Sequence, residues 1–175
     1  MAAKPEYSIW LLPAAAQETT LTAAVVRLSA ELSGITFVPH ITVQGDLALP
    51  FDALGGLLQR IAVRTPAQRW RVQGVETSDQ FFRCLYLRFV DAPAFAAMQS
   101  ETRHFTGTAD GLSPFAHLSL AYGAPRPDAS RLRETLAGDY AGTEIVFDRL
   151  VLARSSKYVP VADWRCLAQY RLQAQ

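Results

Sequence analysis

The chain has 175 residues, of which 50% are hydrophobic and 19% charged, so it can bury a core and is not a disordered protein. Seventeen Lys and Arg against sixteen Asp and Glu leave a formal charge of +1, which argues against a protein that coats long nucleic acid. Only three histidines are present, so any histidine chemistry must use very few residues.

Nothing in the sequence points to export or to a membrane. The segment 1–6 lacks the apolar run of a signal peptide, and the longest apolar stretch, 9–16, is too short to cross a bilayer. Cys84 and Cys166 each lie in a strand-like run and form no CxxC pair, which predicts two buried thiols rather than a disulfide or a zinc site. We therefore expect a cytoplasmic protein that does not bind membranes.

Hydrophobic periodicity predicts strands and helices that alternate along the chain. A helix capped by Thr19 or Thr20 follows the first strand, and Pro50 opens the second helix. The predicted strands are 7–12, 38–44, 69–76, 81–90, 116–121, 143–153 and 161–172, and the predicted helices are 20–32, 50–60, 93–104 and 128–137.

This order is β-α-β-α-β, given twice, with one closing strand. A shift of 77 residues superposes the halves, roughly 7–76 on 81–153, and leaves 161–172 as the closing strand. The repeat predicts an α+β fold in which duplicated β-α-β-α-β halves with largely antiparallel sheets are related by pseudo-twofold symmetry. No linker-like segment separates the halves, so we expect residues 1–175 to form a single bilobal domain with an active-site cleft between the lobes.

Two matched tetrapeptides carry the chemistry. The same shift places His40-Ile41-Thr42-Val43 on His117-Leu118-Ser119-Leu120, so that each half has the pattern His, apolar, hydroxyl, apolar. Side chains two apart in a strand share a face, so His40 lies beside Thr42 and His117 beside Ser119. Pseudo-twofold symmetry turns the two pairs toward each other across the cleft.

Two imidazoles and two hydroxyls suit displacement at phosphorus without a metal. One neutral imidazole takes a proton from the attacking water, the opposite imidazolium donates to the leaving oxygen, and the hydroxyls bind the phosphate oxygens. A zinc site is disfavoured because no Asp or Glu accompanies the motifs. A serine nucleophile at Ser119 is disfavoured because no Gly-x-Ser-x-Gly elbow surrounds it.

Other residues have plainer interpretations. His104 lies near the end of its predicted helix, where a cation favours the helix dipole, and its repeat equivalent is Arg27. Trp10, Phe81, Phe82 and Arg83 could stack on or pair with a nucleotide, but their strand context favours core aromatics and a solvated charge.

The paired His-x-[Thr/Ser]-x motifs resemble the 2H (two-histidine) phosphoesterase superfamily, and 37–45 and 116–123 are most similar to its plant and fungal cyclic phosphodiesterases. The resemblance implies hydrolysis of ADP-ribose 1″,2″-cyclic phosphate or nucleoside 2′,3′-cyclic phosphates. It implies His40 and His117 as the acid/base pair, with Thr42 and Ser119 binding phosphate. Tyr122 matches the tyrosine that follows the second motif and lines the substrate site.

One departure concerns RNA. RNA-directed relatives commonly follow the second motif with an arginine, whereas this chain has Ala121-Tyr122-Gly123. Action on RNA ends with 2′,3′-cyclic phosphates, or a non-catalytic nucleotide-binding module, stay as alternatives. We expect a monomer that needs no cofactor and no metal and takes a small cyclic nucleotide as its partner.

Overall fold

A computed structural model describes residues 4–32, 34–90, 92–123 and 129–174. The elements alternate as the sequence predicts, and two short 3-10 turns, Phe81–Arg83 and Val161–Asp163, interrupt the second half. The strands are β1 (Tyr7–Pro13), β2 (Ile41–Leu47), β3 (Gln68–Thr77), β4 (Leu85–Phe89), β5 (His117–Ala121), β6 (Glu144–Arg154) and β7 (Arg165–Arg171). The helices are α1 (Ala15–Leu32), α2 (Phe51–Ala62), α3 (Pro93–Thr106) and α4 (Ala129–Tyr140).

The sheet order displays the internal repeat. The strands run β2-β1-β6-β3-β4-β5, with β7 added on β6, and every pairing is antiparallel. Under the 77-residue shift β1, β2 and β3 correspond to β4, β5 and β6, so the order is the same from either end. Each half gives its third strand to the other half's sheet, since β6 pairs with β1 and β3 with β4. The fold is the predicted α+β arrangement with pseudo-twofold symmetry.

The hydrophobic core lies between the sheet and the helices. Ile9 and Leu11 of β1 point into this core, and so do Ile41 and Val43 of β2. The alternate residues of β1, Trp10 and Leu12, pack on the opposite face against β6 and Trp164. Because both faces of β1 are covered, its residues 9–12 form a continuous apolar run rather than an alternating one. Trp10 is thereby fixed on the face where the functional side chains lie.

Several predicted boundaries are wrong, for local reasons. The Thr19 and Thr20 hydroxyls donate back to Ala15 and Ala16 inside α1 instead of capping it, since the helix begins four residues before Thr19. The predicted strands 81–90 and 161–172 both begin with the 3-10 turns instead, and their strands start at Leu85 and Arg165. Pro50 occupies the N-cap of α2, as expected, whereas the predicted start of α4 at 128 lies outside the described residues.

The two cysteines differ. Cys84 is 5% exposed, as predicted, while Cys166 on the outer strand β7 is exposed, so the expectation of a second buried thiol is wrong. In the described part of the chain β7 pairs with β6 alone, and its residues are exposed or only partly covered, which the sequence pattern does not reveal. Among the described residues, no helix combines the length and apolarity that a bilayer crossing requires.

Candidate active site

A cavity of about 650 Å³ lies on the sheet face opposite the main core. This volume is in the range of about 300–1,000 Å³ that small-molecule sites occupy. The five residues singled out from the sequence, His40, Thr42, His117, Ser119 and Tyr122, all line it. The structure thus brings the two tetrapeptides, which are 77 residues apart, to one concave surface.

His40 is held rigidly at the start of β2. It is 6% exposed and lies immediately before the strand instead of inside it. Its Nδ1 is 2.6 Å from the carbonyl oxygen of Val38, and its ring stacks on Trp10 with 3.8 Å between centroids and an interplanar angle of 15°. The imidazole cannot rotate without losing both contacts.

His117 repeats this arrangement at the start of β5. Its Nδ1 is 3.1 Å from the carbonyl oxygen of Phe115, which is again two residues upstream, and 3.1 Å from Ser113 Oγ. The Ser113 hydroxyl donates to the Phe115 carbonyl, so its oxygen can accept the proton of His117 Nδ1. In both motifs the backbone therefore favours the Nδ1–H tautomer, which leaves Nε2 for proton transfer.

Burial sets the charge of both imidazoles. The pKa of His40 is lowered to about 4, chiefly by desolvation, with the Val38 carbonyl opposing this effect and the charge of His117 adding to it. Desolvation likewise lowers the pKa of His117 to about 4, with Arg83 and Arg88 adding to the effect and the Phe115 carbonyl opposing it. Both rings are neutral at pH 7 in the free protein, and a bound anion raises the pKa of each because it stabilises the imidazolium.

The two hydroxyls are not equivalent. Ser119 Oγ donates to the carbonyl oxygen of Phe82 at 2.8 Å, while Thr42 Oγ1 has no hydrogen-bond partner within the described part of the chain. Thr42 is therefore ready to donate to a ligand. Ser119 must first turn away from Phe82.

Tyr122 is a buried residue that lines the cavity and carries a protonated phenol. It is 3% exposed and stacks on Phe37 with 3.7 Å between centroids and an angle of 10°. Burial raises the pKa of its hydroxyl far above the ordinary value, with the Cys84 thiol as a smaller cause. Tyr122 is thus a neutral group in the cavity and not a base.

The prediction that Phe81 and Phe82 are core aromatics is wrong. Phe81 is 47% exposed and Phe82 38% exposed, and both line the cavity. The 3-10 turn is the cause, because it ends the strand alternation before Leu85 and turns both rings toward the cavity rather than the core. Phe82 stacks on Trp164 with 5.7 Å between centroids and packs edge-on to Tyr122, so together they form an aromatic wall.

Arg83 is not the solvated charge that its sequence context predicts. It is half-buried at the cavity, and its guanidinium lies over the ring of Phe115, 4.8 Å from the centroid. Its Nε is buried without a hydrogen-bond partner in the described residues.

A loop that the sequence analysis did not identify, 107–116, leads into the second motif. Gln44 is fully buried in β2 and donates to the carbonyl oxygens of Thr108 and Asp110, at 3.1 and 2.9 Å. Gln99 of α3 donates to Val43 and Ser113 carbonyls at 3.0 and 2.8 Å. These bonds tie the segment 107–116, and with it Ser113, to the strand of the first motif. Because β2 also contains Thr42 and Asp46, no polar–apolar pattern in the sequence indicated Gln44.

The opposite rim holds an ion pair. Lys157 Nζ lies 3.4 Å from Asp46 Oδ2, and the Lys157 backbone N–H donates to Asp46 Oδ1 at 2.9 Å. Asp46 has a φ of 53°, a left-handed conformation that few non-glycine residues adopt. Both residues line the cavity, and no motif in the sequence indicated either of them.

His104, the third histidine, does not belong to the site. His104 is exposed on the last turn of α3, as predicted, away from the cavity. In the segments that the structure describes, no three His, Cys, Asp or Glu side chains gather where they could hold a metal ion.

Similarities to known proteins extend over most of the chain, although no protein-family model matches it. The chain is similar to an Arabidopsis thaliana protein named cyclic phosphodiesterase, with 25% identity over 156 residues that cover 87% of this chain and 86% of that protein. Its fold is that of TT0787 of Thermus thermophilus, at a TM-score of 0.61 and 16% identity over 97% of this chain and 99% of that one. It is also that of E. coli LigT complexed with 3′-AMP, at a TM-score of 0.58 and 12% identity over 97% and 99% of the two chains.

Proposed function

We propose that the chain is a member of the 2H phosphoesterase superfamily and that it hydrolyses a cyclic phosphodiester on ribose in the cavity that His40 and His117 both line. The observation that carries the proposal is the symmetric presentation of two imidazoles, each held through Nδ1 by the carbonyl two residues upstream. Both rings line the same cavity, where they can face one bound group. Nucleoside 2′,3′-cyclic phosphates and ADP-ribose 1″,2″-cyclic phosphate are the substrates that we propose.

The chemical step is an in-line attack of water on phosphorus. The neutral Nε2 of one histidine takes a proton from the water as the new P–O bond forms. The protonated Nε2 of the other donates to the ribose oxygen as its P–O bond breaks, which leaves a phosphomonoester and a free ribose hydroxyl. The negative phosphate supplies the reason why one imidazole is charged in the complex, since it raises the pKa of each ring from about 4.

The hydroxyls and the aromatic wall would hold the substrate. Thr42 and Ser119 lie two residues after the histidines, where they can donate to non-bridging phosphate oxygens whose charge matters in the transition state. The exposed faces of Phe81 and Phe82 offer a stacking surface for a nucleobase. Two imidazoles and two hydroxyls are a poor ligand set for zinc or magnesium, so we propose a reaction that needs no metal.

The test is turnover of adenosine 2′,3′-cyclic monophosphate and of ADP-ribose 1″,2″-cyclic phosphate, with phosphomonoester formation followed by ³¹P NMR. H40A and H117A should each lower kcat by at least about a thousandfold, because each removes one of two proton-transfer groups. H104A, which changes an exposed histidine outside the cavity, is the matched control and should keep the wild-type rate. Activity that required added Zn²⁺ or Mg²⁺, or that survived either single substitution, would contradict the mechanism.

The two alternatives from the sequence have their own outcomes in the same experiment. Stoichiometric binding of the cyclic nucleotide without turnover would indicate a binding module. A strong preference for an oligonucleotide that ends in a 2′,3′-cyclic phosphate, lost steeply with salt, would indicate action on RNA ends.

A further inference from the structure

Arg83 presents an unneutralised guanidinium at the cavity. In the described residues no carboxylate forms an ion pair with Arg83. Its Nε is buried and has no hydrogen-bond partner among those residues. Leaving a buried donor unpaired costs about 1–3 kcal/mol, and more when it is charged. An anion bound in the cavity would offset this cost by neutralising the guanidinium charge.

Its position places Arg83 beside the second motif. The guanidinium carbon lies 4.8 Å from the ring centroid of Phe115 and 5.7 Å from that of Tyr86. Both rings are also in edge contact with His117, at 5.4 and 5.5 Å between centroids. On its other side Arg83 follows Phe82, whose carbonyl oxygen accepts the hydrogen bond of Ser119. The Arg83 guanidinium thus shares two aromatic neighbours with His117, and the Arg83 backbone directly follows the carbonyl group that Ser119 binds.

Two nearby cations lack this freedom. Arg88 lies over the same Phe115 ring at 4.0 Å, but its Nη1 is 3.5 Å from Glu76 and it does not line the cavity. Lys157 lines the cavity, but Asp46 neutralises it at 3.4 Å.

The pseudo-symmetry offers no counterpart to Arg83. Under the 77-residue shift its equivalent in the first half is Glu6, which pairs with Arg154 at 4.0 Å. The second half of the chain thus has an arginine without a carboxylate partner at the position where the first half has the paired Glu6.

We propose that Arg83 is a ligand of the substrate's scissile phosphate, donating its guanidinium N–H groups to the non-bridging oxygens of the cyclic phosphodiester. This inference rests on the proposed function of the same cavity. The planar guanidinium matches the geometry of phosphate oxygens, and its fixed charge stabilises the negative charge that the transition state spreads over them. Ser119 and Arg83 then act from one side of the phosphate and Thr42 from the other.

The decisive comparison is R83M against R88M. Both substitutions remove an arginine that packs on Phe115 and lowers the pKa of His117, so both move the alkaline limb of the pH profile upward. Only Arg83 lines the cavity. Each variant is assayed at its own pH optimum with adenosine 2′,3′-cyclic monophosphate, and binding of inorganic phosphate is measured by calorimetry.

We expect R83M to lower kcat/KM by about ten- to a hundredfold, the range for one lost charge-assisted hydrogen bond, and to weaken phosphate binding. R88M should stay within about threefold of wild type in both measurements. R83K, which keeps the charge without the planar fork, should lie between them and also guards against a folding defect in R83M. Equal losses in R83M and R88M, or full activity of R83M, would overturn the proposal.

A further pair of substrates locates the contact. The loss in R83M should be the same with and without a 5′-phosphate on the cyclic nucleotide. A loss confined to the 5′-phosphorylated substrate would put Arg83 on a distal phosphate and refute the assignment to the scissile one. If wild-type protein turned over neither substrate, the proposed hydrolysis would fail, while the phosphate-binding comparison would still decide whether Arg83 holds an anion.

Discussion

Acid should destabilise this fold through the same two histidines that we propose for catalysis. The pKa of each falls from 6.5 in the unfolded chain to about 4 in the folded protein, chiefly because both imidazoles are buried. Between these values the unfolded state binds more protons than the folded one, so the free energy of unfolding falls as pH falls from 6.5 to 4. Above pH 6.5 this contribution to stability is fully present.

The magnitude follows from the shift. A difference of about 2.5 pH units, at about 1.4 kcal/mol per unit, amounts to about 3 kcal/mol for each histidine over the whole window. Between about pH 6 and about pH 5 the two together should remove about 2 kcal/mol, before carboxylates begin to contribute. The charge of His117 acts on His40, so the two contributions are not independent.

Urea unfolding at half-unit steps from about pH 7 to about pH 5, followed by circular dichroism at 222 nm, measures this slope. H40N and H117N should each reduce the slope by about half, and the double variant should nearly abolish it. H104N removes an exposed histidine and should keep the wild-type slope. A double variant with the slope of the wild type would refute the reasoning, because the buried imidazoles could not then be the groups that titrate.

Three further outcomes follow from the site. The pH profile of kcat/KM reports the free enzyme, whose histidine pKa values are about 4, so kcat/KM should decline above about pH 5. The kcat profile reports the complex and should extend to higher pH, because the bound phosphate raises both histidine pKa values. Coincident profiles would contradict this. T42V should lower kcat/KM by about tenfold or more and S119A by several-fold less, since Ser119 must give up its bond to Phe82 before it can bind phosphate; the opposite order would count against the free hydroxyl of Thr42. G111A should lower the free energy of unfolding, measured with urea, by at least about 2 kcal/mol, because a Cβ at this φ of 71° would meet the Gly45 carbonyl oxygen. Gly107 has a similar φ of 72°, but a Cβ there would point into open space, so G107A should cost only the backbone strain. Equal losses in the two variants would show that the contact with Gly45 does not matter.

Much of the fold can be predicted from the amino-acid sequence. Hydrophobic periodicity predicts the element order and the 77-residue repeat predicts the pseudo-twofold symmetry, whereas the pairing of each third strand with the other half is seen only in the folded sheet. Motif spacing identified His40, Thr42, His117 and Ser119, and the family resemblance added Tyr122; all five line one cavity. Local periodicity reaches this far because an alternating strand must put His117 and Ser119 on the face opposite Leu118, whatever the rest of the chain does.

Other features depend on contacts between distant segments. The strand-like letters of 81–83 form a 3-10 turn, and only in the folded sheet does its Phe82 carbonyl meet Ser119. The stacking of Trp10 on His40 and the buried bonds of Gln44 to the loop 107–116 likewise join residues that are far apart in the chain.

Two histidine motifs at equivalent places in a duplicated chain can be read from the amino-acid order, because repeats and strand alternation are local properties. The charge of the two imidazoles and the differences between the two halves of the site depend on the folded structure. Burial holds both imidazoles neutral, Ser119 is engaged while Thr42 is free, and an unpaired Arg83 stands on one side only. Desolvation and charge–charge interactions depend on what surrounds a group in space, and that information is not carried by any one segment of the chain.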